Sequence, residues 1–184
     1  DEWEKWNTSE NSFLDKNHIS ESSNLTINSD EKEINYKKAF HPLLLQTNKL
    51  QNKSTYPQDI KLNSEHRIIV ISGPNAGGKS ITLKTVGLLQ LMLQSGMLIP
   101  VKENSVACIF ELILTDIGDN QSIENQLSTY SYRLNNMKYF LKKCNSNTLF
   151  LIDEFGTGSD PELGGALAEV ILEDFYVRFA LGLL

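Results

Sequence analysis

The run Gly73-Pro74-Asn75-Ala76-Gly77-Gly78-Lys79-Ser80 constrains this chain more than any other feature. It follows the apolar stretch Arg67-Ile68-Ile69-Val70-Ile71-Ser72 and precedes a helical pattern. That is the G-x-x-x-x-G-K-[ST] phosphate loop in its strand–loop–helix context. Glycines let successive backbone N–H groups turn toward phosphate oxygens, and the helix that follows presents its positive end to the same anion. Lys79 is spaced to reach the outer phosphates, and the Ser80 hydroxyl to ligate Mg²⁺. A chain organised around such a loop is expected to bind a nucleoside triphosphate.

A second feature bears on the same chemistry. Thr148-Leu149-Phe150-Leu151-Ile152 is a continuous apolar run of the kind that forms a strand buried on both faces. It ends in Asp153-Glu154. Taken alone, the two acids read equally well as a solvated strand end. Beside a phosphate loop they acquire defined uses. Asp153 helps hold the Mg²⁺ shared with Ser80, and Glu154 positions and deprotonates the attacking water.

The intervening pattern supplies the fold class. Residues 41–45 and 56–62 read as short extended segments. After the loop, Ile81, Val86, Leu88, Leu89, Met92 and Leu93 mark a largely apolar helix that stops at Ser95-Gly96. Residues 110–114 read as a strand, and 128–144 as a helix with Tyr130, Leu134, Met137, Leu141 and Cys144 at helical spacing. Lys138, Lys142 and Lys143 lie near the end of that helix, where its dipole favours cations, so they are not read as a DNA patch. The glycine-rich stretch 155–159 leads to Asp160 as N-cap, Pro161 as first helical residue, a helix over 162–176 and a strand beginning near Phe179. Strands alternating with helices predict an α/β fold, a mainly parallel sheet flanked by helices, with nucleotide at the carboxyl ends of the strands.

Charge divides the chain. Residues 1–34, rich in Ser, Asn, Asp and Glu, hold nine acids against three lysines and account for the whole net charge of −6. They read as a linker or the tail of a preceding domain, followed by one domain over 35–184. In that domain 14 acids balance 14 bases, so it lacks the basic stripe of a self-sufficient nucleic-acid binder. Asn24-Leu25-Thr26 matches a glycosylation sequon by chance on this reading. Cys108 and Cys144 read as two reduced, buried thiols. No apolar run approaches the roughly 18 residues of a membrane span. A cytoplasmic location is expected, and so is a longer parent protein, since the chain opens on Asp1 without an initiator Met.

These residues together resemble the ATPase domain of the MutS family, within the ABC-type P-loop ATPases. The resemblance rests on Pro74-Asn75 inside the loop, His41-Pro42 upstream, Leu127-Ser128-Thr129-Tyr130-Ser131 at a helix start, and Asp153-Glu154 with the loop 156–160. Ile81 to Leu88, Gln94-Ser95-Gly96 and Asp116-Ile117-Gly118-Asp119 are similar to the paralogue subfamily linked to recombination suppression. The resemblance covers residues 36–184.

It implies that Gly73, Pro74, Asn75, Ala76, Gly77, Gly78, Lys79, Ser80 and Ile81 hold ATP, with Ser80 and Asp153 on Mg²⁺ and Glu154 as base. It further implies a head-to-tail homodimer in which Ser128 and Thr129 bind the γ-phosphate held by the other copy, with Asp160 near the seam. Nucleotide binding and hydrolysis would close and release a DNA-encircling clamp in DNA repair or recombination control. Mismatches, branched DNA and the ribosome are all targets that the resemblance leaves open. Tyr56 and Ile60 are candidates to stack the adenine. The family's histidine loop is not found before Leu184, so weak hydrolysis is expected of this chain. Two other readings stay open: another ABC-type chromosome-maintenance or transporter ATPase, disfavoured by the missing L-S-G-G-Q, and a nucleotide-gated dimerisation module.

Overall fold

The computed structural model describes residues 25–28, 30–73, 78–118, 126–153 and 161–184. They divide into two compact units, one of residues 1–61 and 84–108, the other of 62–83 and 109–184.

The second unit carries a four-stranded sheet. Its strands are β4 (Ile68–Ile69), β6 (Leu112–Asp116), β7 (Thr148–Ile152) and β8 (Leu181–Leu183). They lie in the order β4-β8-β7-β6, and every pairing is parallel. The expected α/β sheet is therefore present. All five residues of β7 are buried, as its unbroken apolar sequence requires of a strand covered on both faces. The predicted strand over 110–114 enters the sheet two residues later. Glu111 and Leu112 first donate to the Asn147 carbonyl, and regular pairing begins with Leu112 opposite Thr148.

Two helices cover this sheet, α3 (Gln126–Lys143) and α4 (Pro161–Val177). Met137, Phe140 and Cys144 from the α3 side meet Ile171 and Phe175 from α4 over Leu114, Phe150 and Ile152. The Phe150 and Phe175 rings stack at 4.3 Å between centroids. Opposite Phe150 in the register stands Gly182, and a Cβ there would lie 2.4 Å from the Phe150 ring. Only glycine fits that close approach.

The first unit holds a second sheet, of which only the strand Gln58–Leu62, within the expected extended segment 56–62, was read from the sequence. Its order is β1-β5-β2-β3, from β1 (Thr26–Ile27), β5 (Val106–Ala107), β2 (Ile34–Ala39) and β3 (Gln58–Leu62). β1 pairs parallel with β5, and β5 pairs antiparallel with β2. Burial along β2 alternates until Lys37 and Lys38, which are exposed in succession. Lys38 adopts φ 46°, and its N–H donates to the Asp59 side-chain Oδ1 on β3 at 2.7 Å rather than to a backbone carbonyl. A local bulge of this kind shifts the inside–outside phase by one residue.

The segment 41–45, expected to be extended, is helical instead. It opens helix α1 (Pro42–Leu50), with the His41 Nδ1 accepting from the Leu44 N–H at 3.3 Å and Pro42 in the first helical position. A side-chain acceptor at the N-cap and a proline fixed at helical φ outweigh the strand-like look of three successive leucines. Burial, and secondarily the Lys84 ammonium, push the His41 pKa below its ordinary value, which keeps the imidazole in the accepting form.

Candidate functional site

The phosphate loop leaves β4 and enters helix α2 (Lys79–Gln94). Pairing with β8 runs past the formal strand on both sides, since Gly182 N–H donates to Arg67 O and Ile71 N–H to Leu184 O. The loop is thus launched from a strand held over residues 67–71. Gly73 and Gly78 adopt φ 149° and 84°, values that side chains disfavour, and a Cβ on Gly78 would press on Ile81 at 3.3 Å. Pro74, Asn75, Ala76 and Gly77 lie outside the described residues.

Lys79 and Ser80 are the first two residues of α2, where backbone N–H groups have no intrahelical partner. The Lys79 ammonium folds back onto the Gly73 carbonyl at 2.5 Å, bringing its charge to the first residue of the loop. Thr82 clamps the start of the helix, donating to the Gly78 carbonyl from both its N–H and its hydroxyl at 3.0 Å.

Asp153 stands at the carboxyl end of β7 in the same parallel sheet and is only 9% exposed. Its N–H donates to the Asp116 carbonyl at 2.9 Å, extending the β6–β7 ladder by one step. A hydroxyl in the first turn of a helix and a shielded carboxylate are the hard-oxygen donors that Mg²⁺ takes. β8 separates the strand that launches the loop from the strand that ends in Asp153. Glu154 and Asp160 lie outside the described residues, and α4 begins at Pro161.

Ser128 and Thr129 fall in the first turn of α3, inside the helix rather than at its N-cap. Ile60, a candidate for the adenine, is buried in β3 of the other unit and presents no stacking surface, whereas Tyr56 is 84% exposed. Sequence reading passed over two residues at the sheet end as site candidates, Asp116 and Asn136. Asn136 Nδ2 approaches Asp116 Oδ1 at 3.5 Å. An acid closing an apolar strand run was the available signal for Asp116. Nothing local marks Asn136.

The family model for MutS domain V matches residues 69–181. The chain belongs to the MutS family. Domain V is the ATPase domain of MutS proteins. The protein named Endonuclease MutS2 from Pediococcus pentosaceus is 53% identical over 141 residues, covering 77% of this chain and 17% of that protein. That from Finegoldia magna is 50% identical over 144 residues, 78% of this chain and 18% of its own length. The Putative endonuclease MutS2 of Bacillus subtilis is 50% identical over 143 residues, with coverages of 78% and 18%. This MutS domain thus spans about a sixth of the length of these curated relatives. Among its described residues no helix is long and apolar enough to cross a membrane.

Proposed function

We propose that this chain binds ATP with Mg²⁺ and hydrolyses it as the motor domain of a MutS-type protein that acts on DNA. The observation that carries the reading is a phosphate loop and a shielded aspartate in one parallel sheet of a MutS domain, at strand ends facing one edge. In such a sheet ligands gather outside the carboxyl ends.

Backbone N–H groups of the loop and of the first turn of α2 receive the phosphates. Lys79 exchanges its hold on the Gly73 carbonyl for the β- and γ-phosphate oxygens, so its ammonium stays hydrogen-bonded throughout. Ser80 and Asp153 are the residues that would hold Mg²⁺, which would supply positive charge to offset the phosphates. Glu154 accepts a proton from the attacking water as its oxygen bonds to the γ-phosphorus. The bond from phosphorus to the β–γ bridging oxygen breaks, and ADP and phosphate leave.

The ABC-type arrangement supplies the rest. Two copies meet head to tail, and the α3 first turn of one, with Ser128 and Thr129, binds the γ-phosphate held by the other. The Ser128 N–H is among the orphan donors at a helix start, which is where a phosphate finds ready partners. Asp160 lies near this seam. Closure on ATP and release on hydrolysis move the longer protein on DNA in repair or recombination control.

Two variants test the assignment. Glu154→Gln is expected to lower single-turnover hydrolysis about 10²- to 10⁴-fold while ATP affinity stays near that of wild type. An unchanged rate removes Glu154 from the mechanism and favours a nucleotide-gated dimerisation module. Ser128→Arg is expected to abolish ATP-dependent dimerisation without loss of ATP binding. A dimer that persists in this variant rules out the role in trans.

A further inference from the structure

We infer that Asp116 is a positioning residue, a latch that ties the Ser128 helix to the strand ending in the Mg²⁺ carboxylate. The inference rests on the proposed role of α3 in trans and adds to it the means by which the two halves of one copy communicate.

The register supplies the geometry. Asp116 is partnered with Ile152 across the parallel β6–β7 ladder, so both residues project from the same face. Two residues earlier, Leu114 and Phe150 are likewise partnered, and these belong to the core against α3 and α4. Asp116 is therefore the last residue on the α3 side of β6. Asp153, one step beyond Ile152, falls in the opposite phase of the alternation. The two aspartates leave the same edge of the sheet but not the same face. Asp116 faces the helix, and Asp153 does not.

On that face Asp116 meets Asn136, whose Nδ2 lies 3.5 Å from Oδ1. Its main chain is committed to the other neighbour, since the Asp116 carbonyl accepts from the Asp153 N–H at 2.9 Å. One residue thus bonds the acid-bearing strand through its backbone and approaches α3 through its side chain. Asn136 lies eight residues, about 12 Å along the helix axis, from Ser128. Movement of Asp153 on binding Mg²⁺–ATP is transmitted to Asp116 through the ladder and then to α3 as a rigid rod.

The length of the contact matters to this role. At 3.5 Å the amide sits outside the 2.7–3.2 Å range of well-formed bonds to oxygen, and the acceptor is a carboxylate, whose bonds are the stronger ones. A shift of α3 by about half an ångström therefore decides whether a charge-assisted bond is made. Packing alone, by Met137 and Phe140 on Leu114 and Phe150, has no comparably steep dependence on position.

The experiment is a double-mutant cycle in this chain with Asp116→Ala, Asn136→Ala and the pair, plus Asp116→Asn, which keeps an acceptor oxygen. Binding of a fluorescent ATP analogue with Mg²⁺, thermal unfolding, and the dimerisation constant by sedimentation with and without ATP are measured. Each alanine variant is expected to weaken ATP-dependent dimerisation about five- to tenfold, with nucleotide affinity changed less than about twofold. The double variant should be no worse than either single one, and Asp116→Asn, with a neutral acceptor in place of the carboxylate, should recover about half of the loss. Independent, multiplicative effects, or dimerisation unchanged in both singles, overturn the latch. Failure of Asp116→Asn to recover any of the loss also overturns it. Wild-type chain that binds ATP but never dimerises overturns the role in trans and the latch together, whereas wild-type dimerisation with unaffected variants overturns the latch alone.

Discussion

The two sheets are built on opposite plans. In the β4-β8-β7-β6 sheet every pairing is parallel, the central β7 is wholly buried, and all carboxyl ends emerge at one edge. In the β1-β5-β2-β3 sheet the β2–β5 pairing is antiparallel, so strand ends go to opposite edges. A shared exit gathers Gly73, Asp116 and Asp153 from segments far apart in sequence, and a mixed sheet has no such convergence. Its polar groups turn inward instead. The Tyr36 hydroxyl donates to Gln90 Oε1 at 2.8 Å, while Gln90 Nε2 lies 2.8 Å from the Cys108 carbonyl and 2.9 Å from Gln94 Oε1. Chemistry is expected of one sheet and shape of the other.

That contrast can be broken most forcefully at Gly182. Gly182→Ala pushes a methyl into the Phe150 ring and through it onto Phe175, and should cost about 3 kcal/mol in urea unfolding. ATP affinity should fall with it, because the ladder that launches the loop passes through this strand. A loss under about 0.5 kcal/mol means that the ring yields freely, and the close fit is then not what defines the parallel sheet.

In the mixed sheet the corresponding probe is Tyr36→Phe. It keeps the ring and leaves Gln90 Oε1 without its donor, at a cost of about 1–2 kcal/mol. ATP affinity of the folded protein should not change. A loss of affinity at temperatures well below unfolding would end the division of labour between the sheets.

The smallest effect is expected in alkaline solution. Burial raises the Cys144 thiol from 9.0 to about 11, with bonding to Thr148 opposing the shift. The folded state thus favours the neutral thiol, so the associated stability is present below pH 9 and is lost as pH rises toward 11. Between pH 8 and 10 this amounts to about 1 kcal/mol from the parallel-sheet core. Burial also raises Tyr36, so the mixed sheet adds its own loss above pH 10. Cys144→Ala should lessen the decline in urea midpoint between pH 8 and 10, the remainder coming from Cys108, whose thiol burial also raises, and leave the fall above pH 10. An unaltered profile places the titrating group elsewhere.

The two plans also explain which parts could be read in advance. β7 was legible to the residue, because a strand buried on both faces has no alternation to disrupt. α3 and α4 were legible within two residues at each end, from helical spacing and from Pro161. β2 was not, since the bulge at Lys38 breaks the phase on which recognition depends. The His41-Pro42 segment misled because its helical character resides in a cap bond from His41 to Leu44, while its leucines carry no period.

What the sequence by itself determined is the local chemistry: a loop whose glycines and lysine suit a phosphate, an acid at the end of an apolar strand, and the family to which both belong. These follow from near neighbours, because backbone freedom at Gly73 and Gly78 and the helix start at Lys79 are matters of a few residues. The tertiary structure alone decided that β8 stands between the loop-bearing and acid-bearing strands, that Gly182 must yield to Phe150, and that Asp116 reaches across to Asn136. Each is a relation between residues 20 or more positions apart. Only strand register and core packing bring such residues together, and neither is written in any single window of the chain.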